Sequence, residues 1–401
     1  MALHHNLRLM KWFNFFIDFK PYSPIAIVYF AQVTGSFASG LLVFSIFSIA
    51  ISVFEIPTGI YSDKIGRRKT LILGAIASVV SLTFYAIGGT FWMLVLGAIF
   101  AGFQESFFSG NNDALIYDSL AETKEQDTFH EHLGKINSMF QLGLGTSALL
   151  ASLLVGISLS FVFWVSVIPQ VIALLIGLRL TEPKVHFARE SGNMYVHFRE
   201  ALKKFKENYK LRDLSLSSIL KFGMGEVSHQ FTPAFIVTVW PVWALGIYRS
   251  LCNLFAYIGS RCSGNILNKF SAFKVLLIGQ VLSIAIDIGA VWYPGVWSPI
   301  LISLTSISFG ISLIALQALM HKEFSDKQRA TMGSINSLFG NIFFAVFAYL
   351  FGLVADHLGM AQPIIITNLL LLSVVYLYWR LFKNHQKEVL HPAFYRHHTV
   401  K

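Results

Sequence analysis

Several stretches of about 20 residues in this chain carry few or no charged side chains, and that length crosses ~30 Å of hydrocarbon as a helix. In lipid, backbone N–H and C=O groups must find partners within the protein, which favours helices for such stretches. Charged residues make up 13% of the chain, against roughly 25% in soluble proteins. The sequence therefore predicts an all-α membrane protein that crosses the bilayer many times.

The apolar stretches fall into two groups of six, which predicts twelve spans. The first group covers 9–34, 38–61, 70–89, 91–119, 133–157 and 160–180, and the second covers 213–238, 241–266, 272–293, 297–320, 329–355 and 360–382. The predicted domains are an N-terminal six-helix bundle, a cytoplasmic linker, a C-terminal six-helix bundle and a cytoplasmic tail, over 1–180, 181–212, 213–383 and 384–401.

The linker combines apolar residues at helical spacing with basic neighbours, which predicts an amphipathic helix on the lipid surface. Its apolar residues are Phe198, Leu202, Phe205 and Tyr209, and its basic residues include Arg199, Lys203, Lys204 and Lys206.

The basic residues are distributed unevenly between the two sides of the predicted membrane. In the twelve-span topology the six outward loops contain no Lys or Arg. Because basic residues accumulate on the cytoplasmic side, both termini are predicted to be cytoplasmic. The same distribution accounts for most of the net charge of +10 without a nucleic-acid partner.

Other patterns exclude several classes of protein. No G-x-x-x-x-G-K-[ST] sequence occurs, so an ATP site of that type is excluded. The two cysteines, Cys252 and Cys262, fit no zinc pattern. No nucleophile–base pair or metal-ligand cluster stands out, so we expect neither an enzyme nor a metal or other cofactor. If a chain of this kind moves a solute across the membrane, the energy must come from an ion gradient or from the gradient of the solute.

Two loops of the chain share a pattern at a fixed offset of 205 residues. Both contain a Gly, an Asp or Asn, two Lys and a closing Gly in the same order. These residues are Gly59, Asp63, Lys64, Lys69 and Gly74 in the first loop, and Gly264, Asn268, Lys269, Lys274 and Gly279 in the second. The repeat indicates two halves in parallel duplication.

The first of these loops, residues 59–69, resembles motif A of the major facilitator superfamily, G-x-x-x-D-[RK]-x-G-[RK]-[RK]. The resemblance implies two pseudo-symmetric six-helix bundles around a central cavity, lined by helices 1, 4, 7 and 10, that opens alternately to each side. It also implies an inner gate, in which Asp63 meets the N-terminal end of helix 11 and Arg67 or Arg68 pairs with Asp118. The implied gate residues are Gly59, Asp63, Gly66, Arg67, Arg68 and Asp118.

The chain also departs from family patterns. Span 4 reads Ala-Gly-Phe-Gln-Glu over 101–105 and lacks the arginine that often supports proton coupling. Span 5 has Gly143 and Gly145 but no Gly-Pro pair, so the motif common in drug/proton antiporters is absent. These departures weaken the interpretation as a drug exporter.

Polar and charged residues are concentrated in the spans that the resemblance assigns to the cavity. A charge in the membrane costs ~2.5–3.5 kcal/mol on insertion scales, so such residues usually face a cavity or a partner. The candidate cargo-binding residues are Lys20, Gln104, Asn112, Lys221, Gln230 and Arg249. The candidate proton carriers are Asp18, Glu105, Asp113, Glu226 and His229.

Two of these candidates, Lys20 and Asp18, lie two residues apart on span 1. Residues at that spacing on a continuous helix point to different faces. The sequence therefore predicts that the Lys20 ammonium is free to meet a partner on another helix or an anionic cargo.

The leading hypothesis is a secondary transporter, coupled to protons, that moves a polar anionic organic solute by alternating access. An exporter of amphiphilic or cationic drugs is a second hypothesis, favoured by the many aromatic residues and by the acidic residues of span 4. A transport-inactive sensor on the same fold is a third. The predicted partners are the solute, protons and the lipid bilayer, with the chain acting as a monomer.

Overall fold

The structure is a computed structural model that describes residues 2–183, 208–323 and 326–390. Within these ranges it leaves out the side chains of 2–4, 56, 60, 63, 130, 321–323, 326–332, 334 and 387–390. The predicted amphipathic helix of the linker lies almost entirely outside the described residues.

The regular structure of the described residues is helical, as the apolar stretches predict. The α-helices are α1 (Ala2–Ile17), α2 (Ala26–Thr34), α3 (Phe37–Ile65), α4 (Arg67–Ile87), α5 (Phe91–Phe108), α6 (Asn111–Thr123), α7 (Phe129–Leu154), α8 (Leu159–Leu178), α9 (Tyr209–Ile236), α10 (Leu245–Lys269), α11 (Ala272–Trp292), α12 (Ser298–Glu323), α13 (Asp326–Leu358), α14 (Ala361–Leu370) and α15 (Leu372–Leu390). Short 3-10 turns precede α2, α7 and α10.

Eight helical segments of the described residues are long and apolar enough to cross a membrane. Large apolar side chains cover their outer surfaces, and aromatic residues gather at the helix ends, where they suit a membrane–water interface. Trp92, Trp292, Tyr293 and Trp297 are examples, all strongly exposed. These features fit a multi-pass protein in lipid, while the count of twelve spans stays a prediction.

The helices form two compact units. Unit 1 contains Met1–Ser191, Gln230–Ser250 and Ala345–Gly359, and unit 2 contains Gly192–His229, Leu251–Phe344 and Met360–Lys401. Each unit is a set of residues in contact with one another, and the boundaries between the units fall within α9, α10 and α13. The predicted domains, in contrast, are continuous stretches of sequence. The predicted domain boundaries therefore stay predictions.

Spans 1 and 4 are both broken in the middle, whereas each was predicted as one helix. In span 1, α1 ends at Ile17 and α2 begins at Ala26. Pro21 lies between them, and a proline has no N–H to donate and disfavours helix in the residue before it. In span 4, α5 and α6 are separated by Ser109 and Gly110, and Gly110 has a φ of 71°, which glycine adopts readily.

The core of unit 1 holds these broken spans in place. Apolar side chains of α1 pack against α4, α5 and α6, with the Phe13 and Phe108 rings in edge contact at 5.6 Å. Small residues bring backbones together elsewhere in the unit. A Cβ on Gly102 of α5, for example, would come within 3.0 Å of the Ile51 nitrogen of α3.

Candidate functional site

The break in span 1, residues 18–22, is held open by polar side chains of α8 and α4. Gln170 Nε2 donates to the carbonyl oxygens of Phe16 and Ile17, at 3.2 and 3.3 Å. The hydroxyl of Ser78 donates to Gln170 Oε1 at 2.7 Å. Since the last carbonyls of a helix have no partner within the helix, these bonds satisfy groups that lipid could not.

The other end of the break is satisfied in the same way. The Tyr22 N–H donates to Ser166 Oγ, on α8, at 3.2 Å. Ser166 and Gln170 are fully buried and lie one helical turn apart. The two side chains together bond both ends of the break, so its backbone conformation is held by specific hydrogen bonds.

Lys20 and Asp18 face each other within the break. Lys20 Nζ donates to Asp18 Oδ1 at 3.4 Å, and both side chains are mostly buried. The predicted separation of these residues on different helix faces is therefore wrong. Helical spacing does not apply here, because α1 has already ended at Ile17.

Glu105, on α5, completes a cluster of three charges. It lies close enough to Asp18 and Lys20 to interact electrostatically with both, and its own side chain is exposed. Two carboxylates and one ammonium leave one net negative charge when all three are ionised. The cluster therefore attracts cations and protons more than anions.

The break in span 4 adds amide groups beside the end of α1. Asn112 Nδ2 donates to Asn14 Oδ1 at 3.2 Å, and Asn14 Nδ2 donates to the Met10 carbonyl at 2.8 Å. The Oδ1 atom of Asn112 is buried without a hydrogen-bond partner among the described residues. Asp113 follows on the first turn of α6, with its side chain exposed.

Arg67, in the loop that resembles motif A, is buried among polar partners. Its Nη1 donates to Ser62 Oγ at 2.8 Å and to Asn111 Oδ1 at 3.2 Å, and Ser62 also bonds to Asn111. Its Nε lies 3.9 Å from Asp118 Oδ2, so the structure contains the pair that the resemblance implies between these two residues.

Gly66 and Arg68 belong to a contact that sequence reasoning missed. The Glu182 carboxylate, beyond the end of α8, accepts the N–H groups of Arg67 and Arg68 at 2.7 and 2.8 Å. It thereby caps the N-terminus of α4, where a negative charge is favourable. Gly66 has a φ of 95°, and a Cβ there would lie 2.6 Å from Glu182 Oε1. In the sequence, the acidic residue Glu182 just after span 6 was the one sign that could have indicated this cap.

Two of the implied gate residues are not seen in contact. The Asp63 side chain lies outside the described residues, as do those of 326–332 at the start of α13. Among the described residues, no atom lies within 4 Å of the position that a Cβ on Gly59 would take.

The remaining candidates are distributed over both units. Gln104 on α5 and Arg249 on α10 are buried in unit 1. Gln230 on α9 belongs to unit 1 as well, whereas Lys221, Glu226 and His229 of the same helix belong to unit 2. The structure thus brings Asp18, Lys20 and Glu105 together, with Asn112 bound to the end of the same α1 helix.

Comparison with known proteins gives a consistent result. Residues 12–348 match the Major Facilitator Superfamily. An uncharacterized MFS-type transporter of Methanocaldococcus jannaschii is 25% identical over 355 residues, 85% of this chain and 88% of that protein. The quinolone resistance protein NorA of Staphylococcus aureus is 24% identical over 346 residues, 82% of this chain and 84% of that protein.

Among solved structures, a variant of the nucleoside transporter NupG superposes with a TM-score of 0.80. The superposition covers 94% of this chain and 100% of the other, at 17% sequence identity. At that identity the likeness concerns the fold alone, and it is the all-α membrane fold of these transporters.

Proposed function

The chain belongs to the Major Facilitator Superfamily, and on that premise we propose that it is a proton-coupled secondary transporter of a cationic or amphiphilic organic solute. As a member of this superfamily it is an integral, multi-pass membrane transporter and not an enzyme. The proposal adds the coupling ion, the charge of the cargo, a bacterial inner-membrane location and cytoplasmic termini.

The charge cluster at the span 1 break carries the proposal on cargo. The sequence favours an anionic cargo because Lys20, Lys221 and Arg249 would together supply positive potential in the cavity. The Lys20–Asp18 pair removes the first of these three contributions, since the Lys20 ammonium already has a carboxylate within 3.4 Å. Glu105 then remains as the exposed charge of the cluster, and it suits a cation better than an anion.

Proton coupling follows from the same residues. A carboxylate in a water-accessible part of the membrane can take up a proton, and its loss of charge weakens its hold on a bound cation. We propose that Asp18 and Glu105 alternate between cargo and proton in this way. The resemblance to NorA, whose name states quinolone resistance, supports an exporter of drug-like molecules.

A second candidate, an anionic cargo, is favoured by Lys221. This residue lies on α9 in unit 2, half-buried, and forms no ion pair among the described residues. An ammonium without a carboxylate is the group that an anionic solute would meet. Gln230 and Arg249 are further proposed cargo contacts, with Glu226, His229 and Asp113 as further proposed proton carriers.

The experiment that tests the proposal compares cation and anion transport in proteoliposomes with an imposed pH gradient. We expect accumulation of a lipophilic cation such as ethidium to require the proton gradient and to fall at least tenfold in Glu105→Gln. Glu131→Gln, which removes an exposed carboxylate outside the spans, is the matched control and should transport normally. Gradient-driven uptake of an organic acid that depends on Lys221 would instead establish the second candidate.

We also propose that the motif A residues Gly59, Asp63, Gly66, Arg67, Arg68 and Asp118 form the inner gate. Support comes from the buried position of Arg67 and its approach to Asp118. This part of the proposal is independent of the cargo.

A further inference from the structure

The first turn of α3 is capped by a residue more than three hundred positions away. Asp356, near the end of α13, accepts the Phe37 N–H at its Oδ1, 2.7 Å away, and the Ala38 N–H at its Oδ2, 3.0 Å away. The next amide, of Ser39, is satisfied locally by Ser36 Oγ at 3.0 Å. A carboxylate in this position accepts two charge-assisted bonds and meets the positive end of the helix dipole.

The two helices are in close contact along the same face. A Cβ on Gly352, one turn before Asp356, would collide with the Ala38 backbone, 2.8 Å from its nitrogen. Farther along, Ser45 Oγ donates to the Ala345 carbonyl at 2.7 Å. The antiparallel contact therefore continues for several turns beyond the cap, and all of it lies within unit 1.

The sequence around Asp356 repeats the spacing of motif A. Gly352, Asp356 and Gly359 follow Gly59, Asp63 and Gly66 at a constant offset of 293 residues. The closing glycines also share a backbone conformation, with φ values of 95° at Gly66 and 92° at Gly359. Each donates its N–H to the carbonyl four residues earlier at 3.0 Å. The likeness therefore extends from residue types to local geometry.

We propose that Gly352, Asp356 and Gly359 form an outer latch, a second motif A at the opposite end of the α3–α13 pair. The charge distribution predicts that the connection between α2 and α3 faces outward, so the Asp356 cap holds the outer side closed. Asp63 lies at the other end of α3, where the resemblance places the inner gate. Each aspartate would thus cap the partner helix, and the transporter would release one cap when it makes the other.

The alternative is that Asp356 is only a structural cap that stays in place throughout transport. The two accounts differ in what happens when the carboxylate is removed. A structural cap would lower stability without changing which side of the protein is open. A latch would shift the population toward the outward-open state, because its loss destabilises the outward-closed state selectively.

The experiment uses a single reporter cysteine, Ala234→Cys, with Cys252 and Cys262 replaced by Ser. Ala234 is buried on the part of α9 that belongs to unit 1. A membrane-impermeant maleimide is added to the outer side of right-side-out vesicles, and the labelling rate is measured. No cargo is needed, so the outcome is separate from the proposed function.

We expect Asp356→Asn to raise the labelling rate at least fivefold, and Asp356→Glu, which keeps the charge, to return it toward the parental rate. Asp127→Asn, away from the latch, is the matched control. Unchanged labelling in a folded, monodisperse Asp356→Asn protein would overturn the proposal. If that variant fails to fold, the labelling rate of Gly352→Ala is measured instead, because the added methyl group must push the same two helices apart. Faster labelling of Gly352→Ala supports the latch, and an unchanged rate rejects it.

Discussion

Lys20 and Asp18 form an ion pair inside a broken transmembrane span, with 3.4 Å between Nζ and Oδ1. On an unbroken helix the two side chains would point apart, and each would need its own partner in the membrane. The break brings them together and leaves Glu105 as the exposed charge. The position at which one helix ends therefore determines the charge that a cargo meets.

Replacing Lys20 should separate the two proposals on cargo. In Lys20→Met the cluster keeps two carboxylates, so we expect binding of a cationic ligand to persist or to tighten by up to tenfold. Loss of an anionic ligand in the same variant would contradict the cation proposal. Thermal stabilisation of the purified protein by each ligand measures the affinity, since a ligand that binds the folded state raises apparent stability.

Gln170→Leu should weaken the clamp on the span 1 break. The change removes the donor to the Phe16 and Ile17 carbonyls and the acceptor for Ser78. A buried polar group left without a partner costs about 1–3 kcal/mol. We expect a clear fall in melting temperature and in transport, with Gln141→Leu, an exposed position on α7, as the control. A Gln170→Leu protein as stable as the parent would show that the break does not depend on this clamp.

Gly66→Ala should be destabilising for two separable reasons. Its backbone conformation is nearly restricted to glycine, a strain of about 1–3 kcal/mol for other residues, and its Cβ would meet the Glu182 carboxylate. Combining Gly66→Ala with Glu182→Ala should cost less in unfolding free energy than the sum of the single changes. Strict additivity would mean that the collision with Glu182 does not contribute.

Asp63→Asn and Asp356→Asn should shift the conformational equilibrium in opposite directions. The first removes the proposed inner cap and the second the outer one, so the double variant should approach the parental labelling rate at Ala234→Cys. Two shifts in the same direction would show that the aspartates do not act on opposite sides of one equilibrium.

Topology can be checked with reporter fusions. A reporter after Lys401 and another within 185–205 should both report cytoplasm, while one inserted beside Gly295 should report the outside. A cytoplasmic signal at Gly295 would contradict the orientation inferred from the basic residues.

The fold class was predictable from sequence, because membrane spans leave a strong signal. The charges within spans 1 and 4 also singled out Asp18, Lys20 and Glu105 as candidates, whose role stays a prediction. The breaks were harder to predict, since apolar stretches continue on both sides of them; Pro21 and Gly110 were the signs available. Gln170 was missed as a single amide in an apolar span, because its role depends on the backbone of another helix. Asp356 was missed because its partners are the backbone N–H groups of Phe37 and Ala38, and no residue type in the sequence marks such a contact.

The clamp on span 1 has a consequence for how the protein is made. Span 1 enters the membrane first, but Gln170, which satisfies its free carbonyls, comes 154 residues later. Until α8 is synthesised, the Ile17 carbonyl and the Tyr22 N–H of the break lack the Gln170 and Ser166 side chains that bond them. Insertion of a broken segment with two charges on its own is unfavourable. We therefore expect nascent chains to hold span 1 near the insertion machinery until span 6 arrives, so that the earliest span is among the last to be completed.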